Sequence, residues 1–167
     1  ALAAHRDPLV DIITWDDDVW AAGRPSDPLF RPSWSPELLL GADYVGRAFA
    51  IRRARYLAAG GLRTEAGGAL HWDLLLRSDC EAERVTRVTR VLSSVPARET
   101  VPQADAVHVV QQHLDRTGVA ARAEAAGDGC VRVRWTPESW PSVSIVIPTR
   151  HNRSMLSTCL PSLERTD

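Results

Sequence analysis

Leu9-Val10-Asp11-Ile12-Ile13-Thr14-Trp15, running straight into Asp16-Asp17-Asp18, is the stretch on which the fold turns. A short block of β-branched and apolar residues reads as a buried strand, and here its end carries three carboxylates. Strand tips are where ligands gather in open α/β sheets. Downstream, AAGRPSDPLFRPSWSPE holds Pro25, Pro28, Pro32 and Pro36. Proline neither donates to a ladder nor continues a helix, so an ordered loop is expected, with Phe30 and Trp34 held by burial. Ser35 ahead of Pro36 places a capping hydroxyl before a proline at the first helical position, which predicts a short helix through Leu40. Tyr44 to Ile51 reads as a strand, and RRARYLAAGG as a helix closed by Gly60-Gly61. Leu70, Leu74, Leu75 and the stem of Arg77 fall at helical spacing and predict a helix with one buried face. Arg84 to Leu92 alternates valine with threonine or arginine, the pattern of a half-exposed strand. A helix from about Pro102 to Thr117 stops at Gly118, and a hairpin turns about Asp128-Gly129. Trp135 to Pro141 reads as a linker, residues 143–149 (VSIVIPT) as a further strand, and Ser154 to Arg165 as an amphipathic helix despite Pro161. Strands and helices in this order make an α/β protein.

The 167 residues are 44% apolar and 25% charged, enough for one core and an appendage and too few for two full-sized enzyme domains. Twenty basic residues, all arginine, against 21 acidic give a formal charge of -1 and a pI near 6.6. That balance removes the broad positive field that nucleic-acid or anionic-membrane binding requires. Cys80, Cys130 and Cys159 are odd in number and widely spaced, so neither a disulfide framework nor a zinc site is expected, and a reducing cytoplasm is the default compartment. No run approaches the roughly 20 apolar residues of a membrane span, and the N-terminal segment lacks the order of a signal peptide.

Three constellations carry chemistry. Asp16-Asp17-Asp18 places like charges side by side. Such a triplet is tolerated where a hard divalent cation neutralises it, as in a Mg²⁺ or Mn²⁺ site holding a diphosphate, or where a turn is simply solvated. His71-Trp72-Asp73 opens a helix. A histidine or carboxylate there can deprotonate a hydroxyl; equally, Asp73 can favour the helix N-terminus electrostatically while Trp72 packs. Pro148 to Arg153, with Thr149, Arg150 and His151, joins a strand to a helix, and its backbone N–H groups and arginines suit an anion, although no glycine-rich fingerprint accompanies them.

SDPLFRPSWSPELLLGADYVGRAFAIRRARYLAAGGLR followed by HWDLLLR resembles the second half of inverting family 2 glycosyltransferases of the GT-A fold. In that family an Asp-rich strand is followed by D-P-x-F-x-P-x-W-S-P-x-L-L-L, a Y-x-G strand, a helix closing on G-G-h-R and a D-x-D-L-L-L-R helix. The likeness runs from about Asp11 to Arg77 and more loosely to Trp135. PSVSIVIPTRHNRSMLSTCLPSLERTD resembles the opening strand and helix of a second such transferase.

The resemblance implies a partial, Rossmann-like GT-A domain with a mixed sheet over residues 1–135, a linker at 136–142 and the start of a second transferase at 143–167. It implies that Asp16 and Asp18 hold Mn²⁺ or Mg²⁺ on the diphosphate of a nucleotide-sugar donor, with Asp17 between them at the nucleotide. The family's proton-accepting carboxylate falls at His71, a departure that leaves Asp73 as the nearest alternative. Thr149 and Arg150 match nucleotide-contacting positions of the second transferase. Trp34 and Trp72 are candidates for stacking on a glycan or glycolipid acceptor. The implied function is transfer of a sugar to an acceptor hydroxyl in bacterial cell-surface polysaccharide synthesis, in the cytoplasm or, for a longer parent, at the inner face of the membrane. A family member starts with its own nucleotide-binding strand, helix and strand, so the chain is expected to be a slice of a longer protein with little turnover alone. Its open strand edges are expected to favour homo-oligomers. The competing expectation is a non-catalytic acceptor-binding or interdomain scaffold derived from the same fold.

Overall fold

The computed structural model describes residues 9–150 and 152–165. β1 (Ile12–Ala21) is the organising element. Parallel β4 (Val85–Val95) occupies one of its edges from Ile12 to Val19. The other edge is shared by two antiparallel strands, β3 (Phe49–Ile51) against Ile12 to Thr14 and β2 (Arg24–Leu29) against Asp17 to Ala21. Parallel and antiparallel pairs in one sheet make the protein α/β with a mixed sheet. A separate hairpin, β5 (Ala121–Gly127) and β6 (Cys130–Trp135), turns at Asp128-Gly129 as the sequence predicts.

Between the strands lie α1 (Pro36–Gly41), α2 (Arg53–Ala58), α3 (Leu70–Ser78) and α4 (Gln103–Thr117), with α5 (Arg153–Leu163) near the C-terminus. The Ser35 hydroxyl accepts from Leu38 N at 3.1 Å and Pro36 begins α1, so that cap forms as read. Gly118 closes α4 in the left-handed conformation. The core is built from the inner faces of α3 and α4 on the sheet and the hairpin: Ile12, Trp72, Leu75, Val109, Leu114 and Val131 are all buried within it. Asp11, also buried, anchors the start of β1 through ion pairs to Arg52, Arg55 and Arg84 at 3.2, 2.8 and 2.7 Å. The Arg84 hydrogen bond is the largest influence on its carboxyl, which is held below the usual range.

Several expectations change. β1 does not end at the aspartates but carries them through its middle, because Arg24–Leu29 supplies a second antiparallel partner. The proline-rich stretch is therefore partly an edge strand, where a missing N–H costs nothing, rather than loop throughout. Phe30 is exposed, not buried. The strand expected over residues 44–51 shrinks to its last three, since Tyr44 to Gly46 form a turn bonded to Asp43 and Arg31. Residues 143–149 join no ladder among the described residues, and Val143, Ile145 and Val146 are exposed. Strand propensity without a partner strand leaves a chain extended but unpaired. No helix among the described residues is long and apolar enough to cross a membrane. The three cysteines are free.

Candidate functional site

The β1–β4 register slips twice at the acidic triplet: Trp15 faces Val88, Asp16 faces Val91 and Asp17 faces Ser93. A bulge of this kind re-aims side chains within a strand and is favoured next to functional sites. Here it buries all three carboxylates, each under a tenth exposed. Buried charge demands partners, and arginines supply them. Asp16 Oδ1 accepts from the Arg31 backbone N–H at 2.9 Å and from Arg87 Nη2 at 2.8 Å. Asp17 is ion-paired to Arg31 and Arg98. Arg31, itself buried, also donates from Nε to the Trp15 carbonyl at 3.1 Å and from Nη1 to the Tyr44 carbonyl, tying β1 to the turn before β3.

Asp18 differs from its neighbours. Its Oδ1 is buried and has no hydrogen-bond partner, and Arg87 Nε is left in the same state. A buried carboxylate oxygen without a protein partner is costly, and water or an ion can complete it. No three His, Cys, Asp or Glu side chains converge as a ligand set among the described residues.

Asp17 opens onto a cleft of about 420 Å³, whose walls include Arg31, Asp43, Arg47, Arg98 and Gly129. Gly129 closes one side of it: the residue has φ +73°, and a Cβ there would lie 2.8 Å from the Val101 carbonyl oxygen. Asp43 was not singled out by sequence. Burial pushes its carboxyl above the usual range, against the opposing pull of the Gly46 N–H, which donates to Oδ1 at 3.0 Å.

His71 lies in the first turn of α3, its ring edge-on to Phe49 of β3 at 6.2 Å between centroids. Burial, then the charge of Arg47, lowers its pKa, and Asp43 opposes them, so the imidazole is biased towards the neutral form that can accept a proton. Asp73, two residues on, is almost fully buried. Arg63 Nε reaches its Oδ2 at 3.1 Å and Arg77 Nη2 the same oxygen at 2.7 Å. Burial raises the Asp73 carboxyl, but the two arginines together outweigh it and the net shift is downward. A carboxylate so committed is a structural hub and a poor base. Trp72 presents no surface to a sugar ring: it is wholly buried, with Nε1 donating to the Leu39 carbonyl at 2.7 Å, which places it in the core and not at an acceptor. Trp34 is half-buried and donates to the Cys80 carbonyl at 2.8 Å. Thr149 and Arg150 are exposed on the segment before α5, whose N-terminus is capped by Asn152 Oδ1 accepting from Met155 N at 3.1 Å. His151, between them, lies outside the described residues.

No family model matches the chain. It is similar to the O-antigen biosynthesis protein RfbC of Myxococcus xanthus, with 31% identity over 175 aligned residues that take in 98% of this chain and 14% of that protein. It is also similar to the uncharacterized protein y4gI of Sinorhizobium fredii (strain NBRC 101917 / NGR234), with 27% identity over 174 aligned residues, 96% of this chain and 19% of that one. The chain thus spans less than a fifth of the length of either relative.

Proposed function

We propose that the chain forms the metal and acceptor side of an inverting, family 2 type glycosyltransferase of the GT-A fold, acting in the synthesis of a cell-surface polysaccharide. One observation carries the reading: the acidic triplet is buried at a bulge in the central strand, with Asp17 on the wall of a cleft and one oxygen of Asp18 without a hydrogen-bond partner. A surface turn of aspartates would need none of this. The name of the Myxococcus relative, an O-antigen biosynthesis protein, supports the polysaccharide part of the proposal.

In this reading Asp18, with Asp16 beside it, would hold Mn²⁺ or Mg²⁺, which when bound neutralises the diphosphate of the nucleotide-sugar donor. Asp17 keeps Arg31 and Arg98 at the cleft wall, where the guanidiniums face anionic substrate. His71 accepts the proton of the acceptor hydroxyl as its oxygen bonds the anomeric carbon and the diphosphate departs with the electron pair of the broken bond. Asp73 positions the α3 N-terminal turn through Arg63 and Arg77. Trp34 offers its accessible face to the acceptor. Thr149 and Arg150 belong to the nucleotide side of a second transferase unit opening at residue 143, after a linker at 136–142.

The pairing of Asp16 and Asp17 with arginines also favours a second reading, a non-catalytic acceptor-binding scaffold that has replaced the cation by guanidiniums. Turnover separates the two. The intact protein, incubated with UDP-, GDP- and dTDP-sugars and Mn²⁺, is expected to release nucleoside diphosphate, and His71→Ala to slow release by about 10²-fold or more, the scale of a lost general base. No release from any donor would favour the scaffold.

A further inference from the structure

The connection from the end of β4 to α4 forms much of the cleft: residues 95–101 all line it, beside the turn of the β5–β6 hairpin, and the rest of the lining includes Asp17 of β1, Leu29 of β2 and Arg47 of the turn before β3. Residues 96–101 belong to no helix or strand, and none of their backbone groups bonds to another backbone group among the described residues. What ties them down is charge. Arg98 Nη1 donates to Asp17 Oδ1 at 2.5 Å and Nη2 to the Asp27 carbonyl at 2.5 Å. One residue on, Glu99 meets Arg47 at 2.7 Å. The β1–β2 register shifts between Asp17 and Val19 and passes over Asp27, whose φ of 47° is left-handed, so its carbonyl is turned out of the ladder to meet Arg98. Backbone strain of this kind collects at functional sites. We infer that residues 96–101 form a strap latched shut across the cleft, with Arg98 seated on Asp17 and the Asp27 carbonyl as an autoinhibitory contact, so that a ligand reaches Asp17 only when the strap opens.

The two ion pairs differ in strength, and both can part. The Arg47 and Glu99 side chains are more than half exposed, so their attraction is weak and screened by salt. Asp17 is nearly inaccessible and the Arg98 side chain 31% exposed, so the inner pair is the stronger. Breaking it still leaves Asp17 paired to Arg31, and the open state strands no buried charge. A segment exposed from Pro96 to Thr100 and without backbone hydrogen bonds of its own is of the kind that opens locally at low cost. When closed, the strap is seated closely at its C-terminal end: Gly129 lets the hairpin turn approach it, since a Cβ there would lie 3.0 Å from Thr100 Cγ2 as well as against the Val101 carbonyl. Opening frees the Arg98 and Arg47 guanidiniums from their carboxylates, so the open cleft favours an anionic ligand. The strap does not depend on the proposed function; where that function holds, the diphosphate of the donor is the anion.

Cys130 lines the cleft beside the strap and serves as a reporter of its opening, while Cys80 is buried in the core and Cys159 lies on α5. In the intact protein, alkylation by iodoacetamide is followed at each cysteine separately by peptide mass spectrometry. Glu99→Gln removes the outer pair at an exposed position, and Arg98→Gln removes the inner one. Each is expected to speed alkylation of Cys130 by roughly threefold or more as local opening becomes easier, with Cys80 and Cys159 unchanged. Raised NaCl is expected to speed it in the wild type as well, and to have less effect in Glu99→Gln, where the exposed pair is already gone. A Cys130 rate unmoved in both variants, or a rise that Cys80 shares and that therefore reports loosening of the whole fold, would overturn the inference.

Discussion

At the scale of single residues, the chain uses arginine to make buried aspartate tolerable. Asp11, Asp16, Asp17 and Asp73 are each nearly inaccessible, and each is met by at least one guanidinium. Asp73 shows what this costs when broken. Asp73→Ala leaves Arg63 and Arg77 facing an emptied site beside the core, and loss of one partner of a buried pair is worth about 3–5 kcal/mol. Urea denaturation is expected to show a loss of that size. The pH dependence has a definite sign: the folded carboxyl titrates below its ordinary 3.8, so the pairing contributes in full above that value and is lost as pH falls through the lower folded one. The excess stability of the wild type over Asp73→Ala is therefore expected to shrink only in acid. None of this was legible in the sequence, which offered Asp73 as a helix-terminal charge or a spare base. Its partners come from ten residues upstream and one turn downstream, and nothing in local spacing announces that Arg63 folds back to meet it.

At the scale of elements, local rules served well where the chemistry is local. The Ser35-Pro36 start of α1, the Gly118 stop of α4 and the Asp128-Gly129 hairpin each follow from a residue type fitted to a backbone position. They served badly where a distant partner decides. Arg24–Leu29 carries two prolines and is a strand only because β1 extends past the aspartates to receive it. Residues 143–149 have the stronger strand composition and form none. The β1–β2 turn offers a direct check. Ala21 pairs with Arg24 across a two-residue turn in which Ala22 has φ 52° and Gly23 φ 75°. An alanine in that conformation is strained, and asparagine is favoured there. Ala22→Asn is expected to stabilise the chain by about 0.5–1 kcal/mol, seen as a higher urea midpoint with an unchanged slope; a lower midpoint would mean that the hairpin does not form as described.

At the scale of the whole molecule, the packed unit formed by the mixed sheet, α3, α4 and the β5–β6 hairpin presents the cleft at Asp17 and is followed by an apolar C-terminal stretch. Trp140, Val143, Ile145, Val146 and Met155 are exposed on that stretch, and Val91 and Leu92 on β4, the strand that holds one edge of β1. Apolar side chains exposed in this way favour association with another surface. The α/β class and the acidic motif could be read from the residues. That the motif lies inside a strand, and that two of its three carboxylates are already neutralised by arginine, could not, because both depend on the β4 register and on Arg31, Arg87 and Arg98 arriving from separate elements. What remains distinctive is the free oxygen of Asp18.

The most direct measurement is calorimetric titration of nucleoside diphosphate into the intact protein with Mn²⁺, with EDTA, and with Mn²⁺ in Asp18→Asn, a change that keeps the side chain's shape and removes its charge. Binding that requires Mn²⁺ and is lost in Asp18→Asn, with the fold intact by circular dichroism, is the expected result. Binding equally strong in EDTA and in the variant, or no binding under any of the three conditions, would contradict a cation-assisted diphosphate site in this strand.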